Sequence, residues 1–548
     1  MVDMSMVAPD SLMNLSSSLS SLILYSCRLQ GKLPSSMRKF KHLQYLYLGE
    51  NSFSGPIPYD FVQLTELVSL ALSGNKNYYL SLEPTSFDKL VQNLTQLEEL
   101  QLSSVDMSLV VPNFMMNLSS SLSLLTLYSC RLQGKFPSLM TKFKHLQYLD
   151  LRYNNLTGSI PYEFGQLSEL VSIDLSFNDY LSVEPNSFDR IVQNLTKLRG
   201  LRLGYVNMDL VIPNSLANLS SSLSALAFWG CGLQGKFPDN IFLLPNLQVL
   251  DLTYNDRLTG SFPSANVSNY LWLLGLSHTR ISADLGNDFF TNLKLLEVLV
   301  LRNSNILSNN LSGPLPTEYL YSLEALIVYD QNSRNYFDYA YSIGMTKKGF
   351  KIELEKIPSA SLSVTWKGFE REFEKIPRAL GILDFSNNNF TGEIPKLLGK
   401  LKGLRQLNFS HNSLRGEIPL SLGMLLNLES LDLSSNVLTG RIPQQLAFIT
   451  FLAVLNLSHN QLEGAIPSGK QFNTFNASSF EGNLGLCGFP VPNCNGSEAP
   501  ALQPSNFHDG DDSTFFGDGF GWKAVAMGYG CGFVFGVTVG YVVFRTRN

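Results

Sequence analysis

The sequence predicts an α/β solenoid, a curved superhelix of short strands stacked turn on turn, broken by an island and ended by one transmembrane helix. Three observations predict it. Asn388, Asn412, Asn436 and Asn460 fall 24 residues apart, and Gly392, Gly416, Gly440, Gly464 and Pro395, Pro419, Pro443, Pro467 keep the same step. Between Asp330 and Arg378 the frame disappears. Residues 524–544 contain no Asp, Glu, Lys or Arg, and at ~1.5 Å rise per residue they span roughly a 30 Å hydrocarbon core.

The repeating unit reads "LRQLNFSHNSLRGEIPLSLGMLLN" and "LESLDLSSNVLTGRIPQQLAFITF". Its L-x-x-L-x-L-x-x-N frame is the plant-type leucine-rich repeat. Within it, L-x-L is a short strand whose leucines point inward and whose middle residue points out. Stacking buries a continuous apolar spine that one turn alone has no partner for. The Asn turns the chain, its amide placed to bond buried backbone of its own and the neighbouring turn. Gly permits an unusual torsion, and Pro opens the return segment without needing a donor.

Carried backwards, the Asn position falls at Cys27, Asn51, Asn75, Val105, Cys130, Asn154, Asn178, Val206, Cys231, Asn255, Thr279 and Ser304. That makes about twelve turns over residues 1–329 and four over 379–468. The steps Cys27–Cys130 and Cys130–Cys231 are 103 and 101 residues, so blocks of four turns are duplicated. The long third turns "YLSLEPTSFDKLVQNL" and "YLSVEPNSFDRIVQNL" are retained in both, which duplication explains as well as a shared role does. Cys27, Cys130 and Cys231 are therefore equivalent positions in distant turns, too far apart to bond, and Cys531 lies inside the apolar run. Cys487 and Cys494 are left as the expected disulfide.

The island, residues 330–378, alternates apolar and charged residues, which predicts short strands. It also repeats itself: "TKKGFKIELEKIP" returns as "TWKGFEREFEKIP". After the last repeats come a C-terminal cap (469–497), an acidic spacer (498–523), the membrane helix (524–544) and a basic tail (545–548). Arg545 and Arg547 against Lys523 place the short tail on the cytoplasmic side. At the other end "MVDMSMVAPDSLMNLSSSLSSLILYSCRLQGK" matches "SVDMSLVVPNFMMNLSSSLSLLTLYSCRLQGK" inside the solenoid, so residue 1 starts in mid-repeat. With no positively charged leader or signal peptide and no N-terminal cap, the sequence reads as truncated there. A complete chain of this kind would instead insert as a tail anchor with cytosolic repeats, which the basic tail disfavours.

Repeats with "LTGxIP", an island holding "VTWKGFEREFEKI", four further repeats, "IPSGKQFNTFNASSFEGNLGLCG", an acidic spacer and a glycine-studded membrane helix resemble a plant leucine-rich-repeat receptor-like protein. The resemblance covers essentially the whole chain. It implies a single-pass plasma-membrane protein of type I topology that senses an extracellular peptide, protein or glycan. It further implies signalling in immune perception, borrowed from a partner receptor kinase because the four-residue tail holds no kinase. A developmental co-receptor, an enzyme-inhibitor scaffold of the secreted type, and an inactive truncated product are the other readings.

A net charge of −5 and pI near 5.8 give no basic footprint for nucleic acid. His42 and His145 occupy copied "KFKHLQYL" segments, His411 and His459 copied "SHN" turns, and H-E-x-x-H, G-x-S-x-G and C-x-x-C are absent from the sequence. Neither an enzyme nor a cofactor or metal site is expected. Ligand contact is expected on the outward strand residues Tyr47, Gln101, Asp150, Asp174, Arg202 and Asp251. In the island, Trp366 and Phe369 either anchor a ligand or pack the island down. Gly528, Gly532, Gly536 and Gly540 recur every fourth residue and clear a face for a partner helix, the expected contact with a kinase. Asp509, Asp511, Asp512 and Asp518 precede it. Sequons for N-glycosylation occur at Asn14, Asn93, Asn117, Asn155, Asn194, Asn218, Asn266, Asn310, Asn389, Asn408, Asn456, Asn476 and Asn495.

Overall fold

The computed structural model describes residues 3–75, 80–138, 140–263, 267, 270–283, 293–302, 312–315, 323–327, 340–346, 349–355, 362–366, 369–373 and 381–494. Sixteen short strands form one parallel sheet, from Ser21–Ile23 to Val454–Asn456. Twelve of them precede residue 330 and four follow residue 379. Register is one strand per turn, with one local shift at Gly381–Ile382 where that strand meets Leu404–Asn408: Leu125, Leu149, Ile173, Leu201, Leu226 and Leu250 are successive partners. A slip of one residue would turn every leucine of a strand out of the core, which is why the register holds.

Those leucines are at or near zero exposure and belong to one apolar core running the length of the stack. Each contributes roughly 1.5–3 kcal/mol by leaving water. Behind the sheet, a proline in extended conformation starts a 3-10 turn in most repeats, as Pro58, Pro161, Pro395, Pro419 and Pro443 do. The proline ring fixes φ where no backbone donor is needed. The two long third turns carry true α-helices, Pro84–Asn93 and Pro185–Asn194. Smaller parallel sheets line the flank, one of six strands running from Ser312–Pro314 to Gly485–Cys487. Gly392, Gly416, Gly440 and Gly464 sit in its strands at φ 77–81°. That is the left-handed region where a side chain is strained.

Asn154 shows how a turn is locked. Its Oδ1 accepts from the amides of Cys130 and Leu132 at 3.1 and 2.9 Å, and its Nδ2 donates to the carbonyls of Leu127 and Leu151, each at 2.8 Å. All four partners are buried main-chain groups, two of each kind. The thiols take the same place with less: Cys130 and Cys231 donate to Leu102 O and Leu203 O at 3.2 and 3.1 Å. The turn before each thiol bonds to itself instead, Val105 N to Leu102 O and Val206 N to Leu203 O. Both thiols are buried, which pushes their ionisation well upward. Cys487 and Cys494 are bonded to each other.

The sheet passes straight over the island. Val298–Val300 pairs with Ile382–Asp384, and Asn388 Nδ2 donates to Leu301 O at 2.9 Å across 87 residues of sequence. Within the island the backbone forms two antiparallel hairpins, Ala340–Thr346 with Gly349–Glu355 and Leu362–Trp366 with Phe369–Phe373. They correspond to the two copies of the internal repeat, and Trp366 and Phe369 are paired residues at the end of the second.

Among the described residues no helix is long and apolar enough to cross a membrane. Residues 524–544, with Gly528, Gly532, Gly536 and Gly540, lie outside the described residues, as do the spacer carboxylates, Asn266, Asn310 and Asn495.

Candidate functional site

The outward residues that end each short strand, between its two inward apolar neighbours, form one column across the sheet: Tyr47, Ala71, Gln101, Thr126, Asp150, Asp174, Arg202, Ala227, Asp251, Gly275. All six predicted contacts stand in it. The expectation that they are open to a ligand is corrected: Tyr47, Gln101, Asp150, Asp174, Arg202 and Asp251 are each 4% exposed or less. Parallel strands lie about 4.8 Å apart, so every outward side chain is walled in by the same column of the turns on either side. Larger residues further along the strands close the gaps.

At the centre, Arg152 is sandwiched by charge. Its Nε is 3.4 Å from Asp150 Oδ2, its Nη1 is 3.6 Å from Asp174 Oδ2, and its guanidinium lies 4.7 Å from the Tyr128 ring centroid. Arg202 folds over Gly200 and reaches Ser172 Oγ at 3.5 Å. Trp229 covers Gly204, where an added Cβ would meet its ring at 2.2 Å. Tyr47 donates to Glu99, which Ser69 also holds.

Burial raises the carboxyl pKa of Asp150, Glu99 and Asp384, and that of Asp251 to about 6. Asp251 Oδ1 accepts from Thr253 N and Oγ1, at 3.1 and 2.8 Å, but its Oδ2 has no hydrogen-bond partner. Its column neighbours, Ala227 and Gly275, have nothing to donate. In the last four turns the column reads Asp384, Asn408, Asp432, Asn456, and each Asn amide stands 3.5 Å from the preceding carboxylate. That ladder satisfies itself.

The half-open part of the face is a stripe that the sequence reading did not single out. Tyr153, Phe177, Tyr205, Tyr254 and His278 are half-buried and stand immediately before the Asn position in five of six successive turns, Gly230 holding that place in the other. Tyr153 and Phe177 stack at 4.1 Å with 9° between planes, and Phe177 meets Tyr205 at 5.2 Å and Trp229 at 5.6 Å. Tyr254 and His278 stack at 4.7 Å. All five residues have φ of 51–61°. The frame, not the ring, sets this torsion, for Ser26, Glu50, Ser104, Ser129, Ser435 and His459 share it. The fold therefore accepts small polar residues here, and left-handed backbone is costly for any L residue. A run of rings is a choice the fold does not require. The signal was present in sequence as "RYN", "SFN", "GYV", "TYN" and "SHT" at one frame position.

The sequons divide by exposure. Asn14, Asn93, Asn117, Asn155, Asn194, Asn218, Asn389 and Asn476 are exposed. Asn408 is corrected as an attachment point: it lies in the sheet column, 6% exposed, its Oδ1 taken by Ser410 N and Oγ. Asn456 is half-buried in the same ladder. After secretion from a plant cell, glycopeptide mapping is expected to find Asn155 and Asn389 occupied and Asn408 bare; occupied Asn408 would contradict this packing. Among the described residues no group of three or more His, Cys, Asp or Glu is placed to hold a metal ion.

Comparison with known proteins agrees with this architecture. Leucine-rich-repeat family profiles match residues 17–76 and 120–179 and, separately, 379–401, 403–425 and 427–449. Receptor-like protein 35 of Arabidopsis thaliana is 36% identical over 96% of this chain and 48% of its own length. Receptor-like protein Cf-9 of Solanum pimpinellifolium is 34% identical over 30% of this chain and 22% of its own. The chain thus spans about half the length of these curated relatives, or less. Among solved structures, PEPR1–AtPEP1 superposes with a TM-score of 0.55 at 28% identity, over 88% of this chain and 64% of the other. With the repeat frame, the uninterrupted sheet and these relatives together, the chain is a leucine-rich-repeat protein whose relatives are plant receptor-like proteins.

Proposed function

We propose that this protein is a membrane-anchored receptor that takes an extracellular polypeptide along the stripe from Tyr153 to His278. The observation that carries it is the cluster of rings, three of them in consecutive turns, at a backbone position that elsewhere holds Ser, Glu, Asn, Gly or His. Because Tyr153 and Phe177 already cover one another's faces, they offer ring edges and a phenol to a ligand. A sugar ring seeks an open aromatic face; a peptide's side chains and carbonyls suit edges, where the aromatic quadrupole is positive. The likeness to the PEPR1–AtPEP1 structure supports the peptide class.

On this reading residues 524–544 anchor the chain, the repeats face outward, and the four-residue spacing of Gly528–Gly540 receives the helix of a receptor kinase, which supplies the signal. The resemblance to plant receptor-like proteins, read from the order of parts in the sequence, favours a role in immune perception. No catalytic step is assigned to the protein.

The test replaces Tyr205 by p-benzoylphenylalanine in the full chain on plant cells bathed in extracellular fluid. Irradiation is expected to yield a peptide adduct at position 205 and none at position 162, whose tyrosine lies on the back of the solenoid. Equal capture at both positions, or at 162 alone, would count against the stripe.

A further inference from the structure

The back of the last repeats carries a surface that the ligand face does not explain. At the frame position holding Lys39, Gln63, Lys142, Gln166 and Lys400, two consecutive turns hold Met424 and Phe448. Two residues on, Lys41, Thr65, Lys144, Ser168 and Lys402 give way to Leu426; one further, His42, Glu66, His145 and Glu169 give way to Phe451. Together with Leu420, these side chains are 52–64% exposed. The 3-10 turns Leu420–Met424 and Gln444–Phe448, which bear Leu420, Met424 and Phe448 and lead into Leu426 and Phe451, are packed so closely that a Cβ on Gly423 would lie 2.4 Å from Gln445 Cβ. Their apolar side chains therefore make one patch, of the kind that marks an interaction site.

Charge identifies what it meets. Segments 396–403, 420–427, 444–451 and 468–475 contain Lys396, Lys400, Lys402 and Lys470 and no Asp or Glu. Lys402 also ties two of these turns together, its Nζ donating to Met424 O at 2.8 Å. No sequon falls within the four segments; the nearest, Asn476, follows the last.

We propose that this face rests on a lipid bilayer, with Leu420, Met424, Leu426, Phe448 and Phe451 in the interface and Lys396, Lys400 and Lys402 among anionic headgroups. Large apolar residues rimmed by lysine are the composition of an interfacial surface. Protein interfaces, by contrast, are depleted in lysine. The inference rests on the reading of 524–544 as a membrane anchor, which puts a bilayer beside the same chain.

The experiment places the full chain in nanodiscs of phosphatidylcholine and phosphatidylserine with a lipid-soluble carbene photolabel. Peptides covering 418–452 are expected to be labelled along with those covering 524–544. The triple variant Met424→Ser, Leu426→Ser, Phe448→Ser should lose at least fivefold of the first signal and none of the second, and omitting phosphatidylserine should lower the first alone. Label in 524–544 with none in 418–452 would overturn the inference and leave the anchor standing, assigning the patch to a protein partner. No label in either would overturn both.

Discussion

Replacing Asn154 by Ala is expected to destabilise its turn by about 3–5 kcal/mol, the sum of several buried main-chain groups each left unpaired at roughly 1–3 kcal/mol, with partial relaxation. The amides of Cys130 and Leu132 lose their acceptor, and the carbonyls of Leu127 and Leu151 lose a donor. None of the four faces water, so solvent has no easy route to replace the amide. A solenoid couples each turn chiefly to its neighbours, so the loss is local before it is global. Hydrogen exchange reads it directly: protection of the Cys130 and Leu132 amides should fall by a hundredfold or more, while amides near Asn436 stay as they were. Arg131→Ala, which removes an exposed ion pair to Asp106, is the control and should cost no more than about 0.5 kcal/mol. Unchanged protection at Cys130 and Leu132 in the Asn154 variant would refute the account of how turns are locked.

Asp251→Asn should stabilise the protein at neutral pH and remove a pH dependence. With its pKa raised to about 6 by burial, the folded carboxyl holds a proton that the unfolded one, near its ordinary ~3.9, gives up. Protonation thus favours the fold. The benefit is complete below about pH 4, fades as pH rises, and is gone above about pH 6, because the folded state binds the extra proton only in that window. A shift of this size corresponds to roughly 3 kcal/mol, an upper figure for a site that can relax. Asn keeps the acceptor for Thr253 and carries no charge, the solution the same column already uses at Asn408 and Asn456. Denaturation midpoints of the two proteins should coincide near pH 4 and separate by pH 7. Parallel curves from pH 4 to 7 would mean that the carboxylate is solvated after all.

The repeat frame, the number of turns, the looped-out island and the inward leucines were legible in the sequence because each is set by local periodicity. A strand with Leu at every second position has one way to face a core, and an Asn every 24 residues has one set of backbone groups within reach. The resemblance to receptor-like proteins followed from the order of those parts. The site was legible only in part. Asp150, Asp174, Arg202 and Asp251 do lie on the outward column, as alternation requires, yet their surroundings are assembled between turns: Arg152, two residues beyond Asp150, also reaches Asp174 of the next turn and lies against Tyr128 of the turn before. Exposure is a property of that assembled surface: it depends on which side chains from turns 24 to 30 residues away fold over a given strand. For the same reason the ring stripe from Tyr153 to His278 and the apolar patch at Met424 and Phe448, each spelled out one residue per turn, became surfaces only when stacking brought those turns together.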